Sequence, residues 1–234
     1  MLSNFDLKKE EADVRRLKDM ENVVFDRPWY ATADKETPLY WMWRGVKKFD
    51  GLRYDVLRFA AGSLGRELMK TAGHGHSPAG NGLSYPELYQ VLTGEVIYLL
   101  QKKAGDNLEK VAAVHCQAGD YCLVPPNFEH VTINLAGEKT LMSNWSADAN
   151  RPDYSKVRAK HGGAYFGLND SPVIWKKNDN YGEVPPLQFL PPTELTALGI
   201  DIKKDTLYND KQYLSALSFI KEPQKHLALW DNLF

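Results

Sequence analysis

The chain has 234 residues, 43% of them hydrophobic and 25% charged, with 29 basic and 30 acidic side chains and a formal net charge of −1. That length and composition belong to an ordinary globular domain large enough to bury its own core. The even charge balance excludes a generic nucleic-acid or polybasic membrane-binding role, and the longest apolar stretch, VIYLLQ after Glu95, is far too short to span a bilayer.

The first twenty residues are charged throughout and contain no apolar leader, so a cytoplasmic location is expected. Residues 8–20 read as a polar helical or arm segment. From about Tyr40 the pattern turns strand-like, with short runs rich in aromatic and β-branched residues punctuated by Gly, Asn-Leu-Ala-Gly and Gly-Asp turns. No long amphipathic helix interrupts residues 40–146, which predicts an all-β sandwich or barrel over about 38–146 within a domain of residues 1–184. Cys116 and Cys122 flank a Gly-Asp turn and read as buried, reduced thiols without the spacing of metal ligands. After Pro185 the composition changes. VPPLQFLPP is an extended strap, TELTALGI reads as a helix with Thr193 as its N-cap, and NDKQYLSALSF reads as another helix. Residues 185–234 are therefore a partly helical appendage packed on the barrel or at a subunit interface.

The chemistry concentrates in the barrel. In a strand, residues two apart share a face, so His74 and His76 project together, both inward or both outward. An inward pair needs partners to offset its desolvation, and metal ligation is one such explanation. Glu87 opens the strand ELYQVL after a loop rich in Gly, Ser and Pro. A hairpin there would return the chain antiparallel and set Glu87 across from the histidines. Further on, Gly119, Pro125, His130 and Asn134 recur at short spacings around another strand.

These positions resemble the two-part pattern of the cupin superfamily. The first part is His74, His76, Glu87 and Gly94; the second is Gly119, Pro125, His130 and Asn134. The loop before Glu87 is longer than usual, and Asn127 stands where the second part commonly has Gly. The resemblance implies a cupin fold, a double-stranded β-helix or jelly-roll barrel, carrying one divalent metal on His74, His76, Glu87 and His130. The ligand set suits Fe(II), Mn(II), Ni(II) or Zn(II) without choosing among them.

A narrower resemblance rests on VRRLKDM at 14–20, GRELMKTAGHGH at 65–76, PELYQVLTGE at 86–95, VPPNFEHVTIN at 124–134 and SADANRPDY at 146–154. With Thr-x-Gly-His-x-His and Glu-x-Tyr, these stretches resemble the cupin-type glucose-6-phosphate isomerases of archaea and some bacteria over roughly residues 12–180. The resemblance implies interconversion of glucose 6-phosphate and fructose 6-phosphate, with hydrogen moving between carbons 1 and 2 through a cis-enediolate or as a hydride. It implies Glu87 and His130 as catalytic residues, Glu87 being both ligand and candidate base, roles that compete. It also implies substrate contacts at Tyr40, Thr71, Gly73, Tyr89 and Tyr154, a sugar-phosphate substrate and a homodimer. By spacing alone Tyr89 suits a barrel core equally well. Leu57 and Trp145 depart from the family's threonine and tyrosine near the phosphate, and Arg53 or Arg58 is a candidate to compensate. Two other functions use the same ligands: an Fe(II)-dependent cupin dioxygenase, separated by oxygen uptake, and a non-catalytic sugar-binding cupin, separated by the lack of turnover.

Overall fold

The computed structural model describes residues 11–135, 137–200 and 211–231. The chain is all-β at its centre. One six-stranded sheet runs in the order Asp13–Arg16, Pro38–Phe49, Leu52–Phe59, Leu141–Ala147, Glu87–Thr93, Tyr121–Val124. A four-stranded sheet runs Phe128–Asn134, Glu95–Ala104, Asn107–Gln117, Gln188–Leu190. This is the expected all-β barrel, because a core that includes Tyr40, Phe59, Val91 and Met142 from the first sheet and Val96, Tyr98 and Val114 from the second lies between the two.

Both outer faces are covered as well. Along the Glu95–Ala104 strand, Val96, Tyr98 and Leu100 face inward, while Ile97 and Leu99 pack outward with Ala164, Tyr165 and Tyr181. A strand buried on two sides loses its polar alternation, which explains the continuous apolar run in the sequence. On the first sheet, Trp43, Tyr54, Leu88 and Trp145 face outward into a cluster completed by Leu198, Leu214, Phe219 and Ile220 from the C-terminal tail.

Several local expectations are corrected. The segment 8–20 is not one continuous helix where it is described: Asp13–Arg16 pairs with the Pro38–Phe49 strand and Leu17–Val23 is a 3-10 turn, while residues 8–10 lie outside the described residues. The strap includes a true strand, since Gln188–Leu190 pairs parallel with Asn107–Gln117. Thr193 does not cap a helix. Its Oγ1 accepts the Leu123 N–H at 2.9 Å, which ties the tail to the barrel, and the short 3-10 turn Leu195–Leu198 starts after Glu194. The last predicted helix is two short ones, Lys211–Ala216 and Ser218–Lys221; residues 209–210 of that prediction lie outside the described residues. Cys116 and Cys122 are free and buried.

The motif residues away from the ligands are structural. Gly94 has φ +84, and a Cβ on it would clash with Thr140 Oγ1. Thr140 is held there by donating to Asn134 Oδ1 at 2.7 Å. Asn127 adopts φ +66 in place of the usual glycine, a conformation that asparagine tolerates better than other side chains. Its Oδ1 accepts the Ser84 N–H at 2.9 Å and fastens the long loop before Glu87 to the barrel.

Candidate metal centre

Gly73 sets up the site. At φ +77 it turns the chain, and a Cβ there would come within 2.7 Å of Val131 Cγ2, so only glycine fits. The chain then bridges to the neighbouring strand through His74 N–H to His130 O at 3.1 Å and His130 N–H to His74 O at 2.9 Å. Gly75–His76 pairs with Pro152–Asp153. Glu87 lies in the other sheet, paired with Val124 and Ser146. The expected hairpin forms within the loop, where Pro78–Gly80 pairs antiparallel with Leu83–Ser84, but it does not set Glu87 opposite the histidines: they are not cross-strand neighbours and meet across the barrel interior.

There, one donor atom from each of His74, His76, Glu87 and His130 falls within 4.8 Å of the others. His76, Glu87 and His130 are buried and His74 is partly exposed. Glu87 Oε2 lies 3.1 Å from His76 Nε2 and 3.7 Å from His130 Nε2. Tyr89 donates its hydroxyl to Glu87 Oε2 at 2.8 Å and lies 3.0 Å from His130 Nε2. Asn144 Nδ2 donates to Glu87 Oε1 at 2.6 Å.

The donor set fits a cation. His76 Nδ1 lies 2.8 Å from the Tyr85 carbonyl, an acceptor only, so this nitrogen carries the proton. Without a second proton the ring would present a bare Nε2 to the Glu87 carboxylate, acceptor against acceptor. Only a positive charge between them, a proton or a metal, makes that contact favourable. Burial and the neighbouring His76 push His130 down to about 3, and burial and both other imidazoles push His74 well below its ordinary value, so both keep a lone pair for a metal. Burial alone would raise Glu87, but the contact with His76 and the surrounding imidazoles outweigh it and hold the carboxyl well below the usual range.

These shifts carry a stability prediction for chelated protein. An unfolded histidine takes up its proton near 6.5, whereas folded His130 does so near 3, so between these values the unfolded chain binds more protons. Stability should therefore fall as pH drops through that window, by roughly 1.4 kcal/mol per pH unit for one such group. Denaturant midpoints in chelator should be lower at pH 5 than at pH 7; equal midpoints would exclude buried neutral imidazoles.

Tyr40, Thr71, Gly73, Tyr89 and Tyr154 line one cleft with His74, Glu87 and His130. Tyr40 is buried, accepts the Ala72 N–H at 3.3 Å, and has its phenol pushed up to about 12 by burial. Tyr154 stacks beside His74, with ring centroids 5.3 Å apart. Thr71 has a structural task too, since its Oγ1 accepts the buried Thr132 N–H at 3.0 Å. Thr71→Val should lower stability by about 1–3 kcal/mol, the cost of orphaning a buried donor. An unchanged urea midpoint would show that the hydroxyl serves the cleft alone.

Leu57 lines the cleft and offers no hydroxyl there. Trp145 does not: it is buried in the outer cluster, 5.0 Å from the Tyr54 ring, and its neighbour Asn144 faces the site. Arg58 is also turned outward, over Trp41 at 4.6 Å, whereas Arg53 lines the cleft. Sequence reasoning missed Arg44, Asp55, Asn144 and Asn150, which line it as well. The alternation of RYDVLRF groups Arg53, Asp55 and Leu57 on one face, and that was the available signal for Asp55. Among the described residues, no helix is long and apolar enough to cross a membrane.

Comparison with known proteins adds four findings. The family model described as glucose-6-phosphate isomerase (GPI) matches residues 14–183. A glucose-6-phosphate isomerase of Thermococcus gammatolerans is 29% identical over 153 residues, covering 63% of this chain and 75% of the relative. A putative glucose-6-phosphate isomerase 1 of Rhizobium meliloti is 28% identical over 173 residues, covering 71% and 76%. Among solved structures, a cupin-2 domain protein of Shewanella frigidimarina aligns at 13% identity with a TM-score of 0.31, over 44% of this chain and 78% of that one.

Proposed function

The chain belongs to the glucose-6-phosphate isomerase family, and from that premise we propose that it is a metal-dependent isomerase that interconverts glucose 6-phosphate and fructose 6-phosphate in the cleft beneath Tyr154. The observation that carries this reading is the convergence of His74, His76, Glu87 and His130 at the closed end of a cleft that also contains Tyr40, Thr71 and Tyr89. One divalent metal on those four side chains would supply Lewis-acid polarisation of the sugar's oxygens at carbons 1 and 2.

The protein's own groups orient that chemistry. Asn144 and Tyr89 each donate to one oxygen of Glu87, which fixes the carboxylate and keeps it ionised. A carboxylate so held is a weak base, so Glu87 serves as a ligand, and the hydrogen on carbon 2 passes as hydride to carbon 1 while the proton of the carbon-2 hydroxyl passes to the oxygen of carbon 1. Tyr89 stays protonated, because burial and the facing Glu87 carboxylate raise its phenol well above the ordinary value. Its hydroxyl holds a proton at Glu87 Oε2, within reach of His130 Nε2. Tyr40 and Thr71 present hydroxyls along the cleft wall, and Tyr154 covers His74.

A coupled assay on metal-reconstituted protein, with glucose 6-phosphate and mannose 6-phosphate in parallel, tests the proposal. Turnover of glucose 6-phosphate that disappears on chelation and returns with metal is expected, without oxygen consumption. Oxygen uptake would point to a dioxygenase, and the absence of turnover with every divalent metal tried would leave a binding protein.

A further inference from the structure

The open end of the cleft is basic. Arg15, Arg44, Lys48, Arg53 and Arg151 line it, against the carboxylates of Asp13 and Asp148. Arg44, Arg53, Pro152 and Tyr154 line both this mouth and the metal end, so the two form one continuous space.

Most of these cations are already engaged. Lys48 pairs with Asp148 at 3.0 Å, and Arg53 Nε donates to Asp55 Oδ2 at 3.0 Å. Arg151 Nη1 donates to the carbonyls of Asp148 and Asn150 at 2.7 and 2.9 Å. Arg44 is different. Its nearest carboxylates, Asp13 and Asp55, stand 3.9 and 4.0 Å away, too far for hydrogen bonds. Its own hydrogen bond goes to Met42 Sδ at 3.3 Å, a weak acceptor. Arg15 lies next to it along the mouth, with its guanidinium 5.5 Å from the Tyr154 ring centroid and a buried Nε that has no partner among the described residues.

The backbone is built to aim Arg44. Between Trp43 and Lys47 the Pro38–Phe49 strand slips register against Leu52–Phe59, leaving residues 44–46 opposite Asp55 alone. Gly45 takes φ +66 within this bulge, and its N–H donates to Asp55 Oδ1 at 2.7 Å. Bulges next to sites re-aim a side chain in this way. The outcome is a guanidinium fork with spare donors in a cleft whose wall lacks a hydroxyl at Leu57.

We propose that Arg44, backed by Arg15, binds the phosphate group of the substrate at the mouth of the cleft. This rests on the sugar-phosphate reading of the same site. An arginine fork matches phosphate oxygens bidentately, and each charge-assisted bond it forms is stronger than one from a neutral hydroxyl.

The test uses metal-loaded Arg44→Gln and Arg44→Lys, with metal content and circular dichroism as controls, and Arg15→Gln as a second site. For Arg44→Gln, the KM for glucose 6-phosphate should rise about ten- to a hundredfold while kcat changes by less than about threefold. Inorganic phosphate, used as a competitive inhibitor, should weaken by the same factor. Arg44→Lys should recover part of the loss, because it keeps the charge but not the fork. KM and inhibition within about twofold of wild type in Arg44→Gln would overturn the assignment; if that variant does not fold, the same result in both Arg44→Lys and Arg15→Gln would do so. Should the wild-type protein turn over no sugar phosphate, the functional reading falls and calorimetry decides the site separately. Inorganic phosphate, compared with chloride at equal ionic strength, should bind the wild-type protein and not Arg44→Gln. Equal binding to both, or binding to neither, overturns the proposal.

Discussion

Glu87→Gln is expected to reduce turnover at stoichiometric metal by at least about a hundredfold, mainly because the four-residue ligand set loses its only negative charge. The carboxylate now accepts from Tyr89 at 2.8 Å and from Asn144 at 2.6 Å while facing His76 Nε2 at 3.1 Å. An amide in its place carries no formal charge to balance a dication. Metal affinity should therefore drop by about ten- to a hundredfold or more, since even outer partners of metal ligands contribute that much. A large excess of metal should recover much of the activity. Solvent deuterium should stay out of carbons 1 and 2 in the wild-type reaction, as a direct hydrogen shift requires. A variant that binds metal normally yet stays inactive, with deuterium entering the wild-type product, would instead establish Glu87 as the base.

For His130→Ala, the expected outcome is loss of both metal and activity, with turnover down roughly a thousandfold, from the several kcal/mol that metal polarisation contributes to charge stabilisation. His130 sits on a fully buried strand, bridges to His74 through two backbone hydrogen bonds and meets Tyr89 at 3.0 Å. The backbone bridge does not depend on the side chain, so the variant should keep its fold, as read by circular dichroism. The chelated variant should also show a smaller fall in stability between pH 7 and pH 5 than chelated wild type, because one buried imidazole that resists protonation is gone. Full metal occupancy by elemental analysis would remove His130 from the ligand set.

The residue types of the site were legible in the sequence, because metal ligation needs particular side chains and the cupin pattern fixes their order. So was the all-β class, since short β-branched and aromatic runs between turn residues leave few alternatives. Gly94, Asn134 and Asn127 were legible as motif positions, but only the structure gave their tasks: Gly94 makes room for Thr140, Asn134 holds Thr140 in place, and Asn127 supplies a left-handed turn that ties down the loop.

What the sequence determined by itself was local: which residues are present, their spacing along a strand, and hence which of them share a face. It could not choose which face points inward. A period of two says that Asn144 and Trp145 lie on opposite sides, but polarity identifies the inner side only when the outer one is wet. Here the C-terminal tail buries the outer face under Leu214, Phe219 and Ile220, so Trp145 and Leu88 sit as dry outside as Tyr89 and Met142 do inside. Strand pairing decided the rest. Glu87 reaches His76 across the barrel rather than across a hairpin, and Arg44 enters the cleft because a bulge opposite Asp55 turns it there. The first outcome is set by the packing of whole sheets, which no short window of residues encodes, and the second by a register slip between consecutive strands, which residue alternation alone does not reveal.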